Sequence, residues 1–119
     1  MNTLIGKNKG KAVLISGLKK KDQISLEYPV LRKAVLILRS INHPIRQRII
    51  EMLKEKKNMT VTEIYVKLRL EQSVASQHLA ILRRVGIVDT KRDGKFIYYM
   101  LNKSRLGEIL GFVDKLVSE

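Results

Sequence analysis

Residues 60–101 read TVTEIYVKLRLEQSVASQHLAILRRVGIVDTKRDGKFIYYML, and the change of hydrophobic period inside this stretch decides the fold. Thr60-Val61-Thr62-Glu63 is a capping box: the Thr60 hydroxyl can accept from the Glu63 amide while the Glu63 carboxylate reaches back to the Thr60 amide. The spacing predicts a short helix with Ile64 and Leu68 inside, ending near Arg69-Leu70. A second helix starts at Glu71 or Gln72 and runs to Val85, with Gly86 as its left-handed terminator. Ala75, Leu79 and Leu82 mark the buried side of that helix. Two short helices joined by a tight turn form a helix-turn-helix. The period then falls to two. Ile87 to Arg92 and Lys95 to Leu101 read as strands joined by Asp93-Gly94, a strong hairpin signal. Ile97, Tyr99 and Leu101 share one face of the hairpin, and Phe96, Tyr98 and Met100 share the other. Lys91, Arg92 and Lys95 make its tip basic, as a DNA-binding wing requires.

Working outward, the pattern from about Leu26 to Ile41 is helical. Val30, Ala34, Ile37 and Ile41 form one stripe, and Leu31, Val35 and Leu38 form another. Tyr28-Pro29 suits the helix start, since proline is tolerated in the first turn. Asn42-His43-Pro44 restarts the chain: Asn42 or His43 can cap, with Pro44 at the first helical position. That helix runs to about Lys56 with Ile45, Ile49, Met52 and Leu53 inward. Lys54, Lys56 and Lys57 suit its C-terminal dipole. On the other side, Asn102 can cap a last helix to about Val117. Its stripe is Leu106, Ile109, Leu110, Val113 and Val117, widened by Phe112 and Leu116. Apolar surface on more than one face of a helix must be covered from several sides. The first and last helices therefore predict a dimer interface through Val30, Ala34, Ile37, Ile41, Leu106, Ile109, Leu110, Val113 and Val117. The fold class is mainly α: a winged helix-turn-helix of five helices and a two-stranded antiparallel wing. It occupies residues 26–119 behind an irregular basic arm, residues 1–25.

The 119 residues suggest one domain. Against 11 Asp and Glu stand 24 Lys and Arg, a formal +13, and so basic a chain attracts polyanions. Lys7, Lys9, Lys11, Lys19, Lys20 and Lys21 all precede the first acid, Asp22. They form either a solvated tail or a DNA-contacting arm. There is no cysteine, which removes disulfides, thiolate metal sites and thiol redox sensing and is compatible with the cytoplasm. Val13-Leu14-Ile15 is too short for a signal-peptide core, and no stretch approaches a membrane span. Gly6-Lys7-Asn8-Lys9-Gly10-Lys11-Ala12 superficially resembles a phosphate-binding loop. It has three residues between the glycines instead of four, and Ala12 where a hydroxyl would hold magnesium, so no nucleotide is expected there.

Several local strings, in this order, resemble the ArsR/SmtB family of bacterial winged-helix repressors. Ile41-Asn42-His43-Pro44-Ile45-Arg46-Gln47-Arg48-Ile49-Ile50 resembles the segment opening the family's second helix. Gln72 through Val88 (QSVASQHLAILRRVGIV) resembles its recognition helix and the start of its wing. Arg92-Asp93-Gly94-Lys95 and Tyr98-Tyr99-Met100-Leu101 resemble the wing tip and second strand. The match spans roughly residues 28–117. The resemblance implies a homodimer joined through its terminal helices, a repressor role, and release from the operator when an inducer binds. The chain also departs from the best-known members. Thr60 and Thr62 stand where their third-helix metal site has cysteines, and threonine is a poor ligand for a soft metal. The last helix has no histidine, and Glu108, Asp114 and Glu119 are not at i, i+4 spacing. Metal sensing is not expected, no cofactor is expected, and the inducer is left open.

A recognition helix presents its exposed side to base edges in the major groove. The candidates are Gln72, Ser73, Val74, Ser76, Gln77 and His78. Gln77 can bond adenine bidentately and Val74 can touch a thymine methyl. Ser73 and Ser76 are small enough to reach bases or phosphate, with helix capping the structural alternative for Ser73. His78 either contacts DNA, as the matching family position does, or packs at the helix edge; His43 reads as a turn and cap residue. Lys91, Arg92 and Lys95 are expected on phosphate or in the minor groove, with Arg46, Arg83 and Arg84 as further phosphate candidates. Tyr98 and Tyr99 read as packing residues, since a two-stranded wing is not a base-stacking sheet. A protein-interaction module and a non-specific DNA-binding protein are the competing readings. RNA binding is disfavoured by the lack of stacking aromatics. The two histidines lie on different predicted helices and no paired carboxylates suggest a cleft, so no enzyme is expected.

Overall fold

The computed structural model describes residues 24–118. Residues 1–23 of the expected basic arm, with its lysines and its glycine-lysine string, lie outside these residues. The described chain divides inside its first helix, between Leu36 and Ile37, and the two parts are taken one at a time.

The first part carries the start of α1, which spans Tyr28–Ile41. The helix begins two residues after the apolar pattern does. Pro29 has no amide to donate to the Ser25 carbonyl, so an earlier start would lack that bond. The Leu31 amide makes the first such bond, to the Glu27 carbonyl at 2.9 Å. Val30, Leu31, Val35 and Leu36 are exposed, and Ala34 is half-buried.

The second part holds the remaining elements. α2 spans Pro44–Lys56. Of the two candidate caps it is His43 that serves: the Ile45 amide donates to His43 Nδ1 at 3.1 Å, and Pro44 fills the first helical position, where no donor is needed. Lys57 leaves the helix at φ 74° with its amide on the Leu53 carbonyl. Met59–Thr60 then form a short strand, β1. α3, Val61–Leu68, starts from the capping box with both bonds in place, Glu63 amide to Thr60 Oγ1 at 3.2 Å and Thr60 amide to Glu63 Oε1 at 2.9 Å. Arg69, left-handed at φ 57°, closes α3 and turns the chain into α4, Gln72–Arg84.

Gly86 stands at φ 83°, the left-handed conformation that disfavours any side chain. Its amide bonds the Arg83 carbonyl, and the Ile87 amide bonds that of Leu82. The chain enters β2, Val88–Asp93, and returns along β3, Phe96–Leu101. The turn falls one residue later than the Asp93-Gly94 pair predicts. Asp93 pairs with Phe96, so Gly94 and Lys95 are the central residues. Gly94 has φ 67° while Lys95 has no positive φ, which makes this a type II′ turn with glycine in its first central place. β3 also pairs with β1, Met59 opposite Tyr99 and Thr60 opposite Tyr98. The sheet is therefore three-stranded, in the order β1-β3-β2, and not the two-stranded wing expected. The extra strand has two residues, too few to show alternation.

α5 spans Lys103–Val117. Asn102 caps it, Oδ1 accepting from the Arg105 amide at 3.0 Å, while the Asn102 amide donates to the Ile87 carbonyl. Ile49, Leu53, Ile64, Leu79, Leu82, Ile87 and Val88 are fully enclosed. Each such side chain contributes about 1.5–3 kcal/mol by leaving water. Tyr99 and Leu101 pack against this core from β3, while Ile97 on the same face is exposed. The core holds one side of α4, which leaves the other side of α4 and the hairpin tip to face outward.

Candidate nucleic-acid interface

α4 has two chemically different sides. Ala75, Leu79 and Leu82 are completely buried. Gln72, Ser73, Ser76, Gln77, Ala80, Arg83 and Arg84 are exposed. At about 100° per residue, Ser73, Gln77, Ala80 and Arg84 point most directly away from the core. Ser73 does not cap the helix: Glu71 holds that position, without a side-chain bond, and the Ser73 hydroxyl is left on the outer face. Val74 and His78 flank that face, half-buried.

An open groove of about 440 Å³ runs between α4 and β3, lined by Ser76, Leu79, Ala80, Arg83, Arg84 and Tyr99. Two arginines and two hydroxyl groups beside a narrow polar helix face can accept an anionic backbone. The sequence reading treats Tyr99 as packing alone and omits Ala80. The helical period could have found Ala80, three residues beyond Gln77 on one face, while Tyr99 lines the groove from β3, a separate element of the chain. At the hairpin, Lys91, Arg92 and Lys95 are all exposed. Arg92 donates to the Gly94 carbonyl at 3.3 Å, and Lys95 Nζ lies 5.6 Å from the Phe96 ring centroid. Both contacts are local and leave the charges at the tip.

Arg46 is different from its expected place among the phosphate contacts. It is 8% exposed. Its Nε donates to the Ser40 carbonyl at 2.6 Å and a terminal nitrogen donates to the Arg39 carbonyl at 3.3 Å. The other terminal nitrogen lies 3.1 Å from His78 Nδ1. An arginine is always a donor, so His78 Nδ1 is the acceptor. The sequence carries a signal for this burial: Arg46, Ile50 and Leu53 recur at i, i+4 and i+7, one stripe of α2. The His43 ring packs on the His78 ring with centroids 4.7 Å apart. Burial first, then the charges of His43 and Arg46, hold His78 below the ordinary histidine pKa, because a buried ring beside cations resists becoming one.

The expected interface residues divide in two. Leu106 and Ile109 are buried in the core of their own chain, and Ile37, Ile41 and Val113 lie partly against it. Val30, Leu110 and Val117 are exposed, at 46%, 48% and 70%; beside them on α5 Phe112 and Leu116, outside the expected interface set, are exposed too. Thr60, one of the two threonines the resemblance sets against metal-binding cysteines, uses its hydroxyl in the capping box. Among the described residues no three His, Asp or Glu gather as metal ligands, and no helix is long and apolar enough to cross a membrane.

Residues 43–90 match the family described as bacterial regulatory protein, arsR family. The chain is 34% identical over 84 residues to the HTH-type transcriptional regulator MJ1325 of Methanocaldococcus jannaschii, covering 71% of this chain and 94% of that one. It is 33% identical over 84 residues to the transcriptional activator HlyU of Vibrio cholerae, covering 71% and 77% of the two. The crystal structure of the transcriptional repressor PagR of Bacillus anthracis superposes with a TM-score of 0.57 at 34% identity, covering 72% of this chain and 99% of PagR.

Proposed function

The chain belongs to the arsR family of bacterial regulatory proteins and is a DNA-binding transcriptional regulator with a winged helix-turn-helix fold; from that membership we propose that it is a sequence-specific, homodimeric repressor released from its operator by a signal other than a metal. The observation that carries the reading is the two-sidedness of α4. One side is sealed into the core by Ala75, Leu79 and Leu82, and the other offers Ser73, Ser76 and Gln77 to solvent, with Arg83 and Arg84 in the last turn. Small hydroxyls and an amide on a rigid helix suit base edges. The arginines and the wing residues Lys91, Arg92 and Lys95 suit phosphate. In this reading Gln72, Val74 and His78 border the reading face, and Arg46 supports it from inside.

Dimerisation is supported by the exposed apolar side chains on the first and last helices, Val30, Leu31, Val35 and Leu36 on α1 and Leu110, Phe112, Leu116 and Val117 on α5. A non-metal signal is supported by the donor chemistry, since the chain has no cysteine and Thr60 is committed to its helix. The relatives include a transcriptional activator and a transcriptional repressor, so the direction of regulation is itself a proposal.

The test is fluorescence anisotropy with the duplex upstream of the protein's own gene, at several salt concentrations, with unrelated duplex as competitor. Tight binding that survives the competitor at two protomers per site, and that excludes polymerase in transcription assays, is the expected result. Binding that the competitor abolishes would leave a non-specific DNA protein. No binding at low salt would turn the reading to a protein-interaction module.

A further inference from the structure

The Arg46 cluster is not a surface feature, yet it reaches the reading helix. The last carbonyls of α1 have no helical partner, and Arg46 donates to two of them, Arg39 and Ser40. A cation at that end also complements the helix dipole. Ser40 is itself buried, its hydroxyl on the Ile37 carbonyl at 2.6 Å, so the guanidinium is anchored to a rigid turn. Its remaining arm points to His78 of α4.

A neutral imidazole has one N–H and one bare nitrogen, and the partner of one nitrogen decides the state of the other. With Nδ1 facing a permanent donor, the proton of His78 sits on Nε2. His43 is fixed in the same way, because its Nδ1 accepts from the Ile45 amide, and its ring packs against the His78 ring. Among the described residues Nε2 of His78 has no hydrogen-bond partner, and the side chain flanks the outer face of α4, half-buried. A donor at the flank of a groove-inserted helix meets the backbone sooner than a base edge.

We propose that Arg46 is a positioning residue for DNA binding: anchored on the Arg39 and Ser40 carbonyls, it fixes His78 as the Nε2–H tautomer and so presents one oriented donor to a phosphodiester oxygen. The proposal rests on the reading of α4 as the DNA-facing helix.

The test uses the full chain and two measurements. Long-range proton–nitrogen NMR of the free protein is expected to show His78 protonated at Nε2 and bare at Nδ1, and Arg46→Met is expected to mix the tautomers. Anisotropy with a mixed-sequence duplex of roughly 30 base pairs, enough for two half-sites a helical turn apart, then completes a double-mutant cycle. Arg46→Met is expected to weaken binding about five- to tenfold in the His78 chain, the range of one hydrogen bond. In a His78→Gln chain, whose amide donates without help, the same change is expected to cost under about twofold. If Arg46→Met does not fold, as judged by circular dichroism, Arg46→Lys takes its place with an intermediate loss. Equal losses in both backgrounds, or an Nδ1-protonated His78 in the wild-type chain, would overturn the proposal and leave the DNA reading standing. A wild-type chain that ignores the duplex at low salt would overturn both.

Discussion

His43 and His78 pack ring on ring, centroids 4.7 Å apart and planes tilted by 50°, although one closes the N-terminus of α2 and the other rides on α4. Each uses Nδ1 as an acceptor, His43 for the Ile45 amide and His78 for Arg46. A proton arriving at His78 Nδ1 would replace its contact with Arg46 by two donors facing each other. The groups facing His78 are His43 and Arg46, with no carboxylate among the causes of its shift, so nothing there welcomes the added charge.

Acidification should therefore loosen the fold at this pair. The folded pKa of His78 lies below the ordinary value, near 6.5 for an unfolded chain. Between the two values the unfolded chain holds the extra proton, so stability is full above about pH 6.5 and falls as pH drops toward the folded pKa. Urea unfolding between pH 5 and 8 should show a shallower decline for His78→Gln than for the wild type. Identical slopes in the two chains would remove His78 from the pH response.

Gln77 is the residue of α4 best placed to discriminate. It is exposed, with no side-chain bond inside the chain among the described residues, and lies opposite the Ala75–Leu79–Leu82 side. Gln77→Ala should cost about 1–3 kcal/mol of preference at one operator position and leave thermal stability unchanged. Competition with operators altered one base pair at a time reads this directly. A sequence preference that survives the substitution whole would move base reading to Ser73 or Ser76.

Much of this arrangement is legible in the sequence, for local reasons. The capping box at Thr60, the left-handed Gly86 and the Asn102 cap depend on neighbours a few residues away, and period-two alternation groups Tyr99 and Leu101 on one face, the pair that packs on the core. What escapes is set by distant parts of the chain. β1 exists because β3 offers Met59 and Thr60 a partner some forty residues later. The turn's register follows from Asp93 pairing with Phe96, which a preference for Asp-Gly cannot reveal. Arg46 reads as a surface charge until the Arg39 and Ser40 carbonyls come within its reach. Leu106 and Ile109 belong to the chain's own core for the same reason: periodicity marks them as apolar but cannot tell which apolar residues that core will take.

The wing contributes charge where α4 contributes reading. Lys95 follows the glycine of a type II′ turn at the hairpin's end, exposed. Lys95→Ala should weaken binding to every duplex alike and reduce the slope of log affinity against log salt by about one. A loss confined to one sequence would show that the wing reads bases in the minor groove.

The last prediction concerns α5. Leu106, Ile109 and Val113 hold one stripe of this helix on the core, and Leu110 and Val117 lie to one side of that stripe while Phe112 and Leu116 lie to the other. Helix flanks this apolar are costly to leave in water and suit a second copy of the same chain. Leu116 is 63% exposed, so Leu116→Glu removes no core contact and should change the monomer's own fold by less than about 0.5 kcal/mol. Placed in an interface, the same glutamate would bury an unpaired charge. Sedimentation should then show the wild-type chain as a dimer and Leu116→Glu as a monomer of unchanged helical content, with DNA binding lost at concentrations where the wild type saturates. A variant that stays dimeric would move the interface away from this end of α5. A wild type that sediments as a monomer while still binding its operator would show that a single copy reads the site.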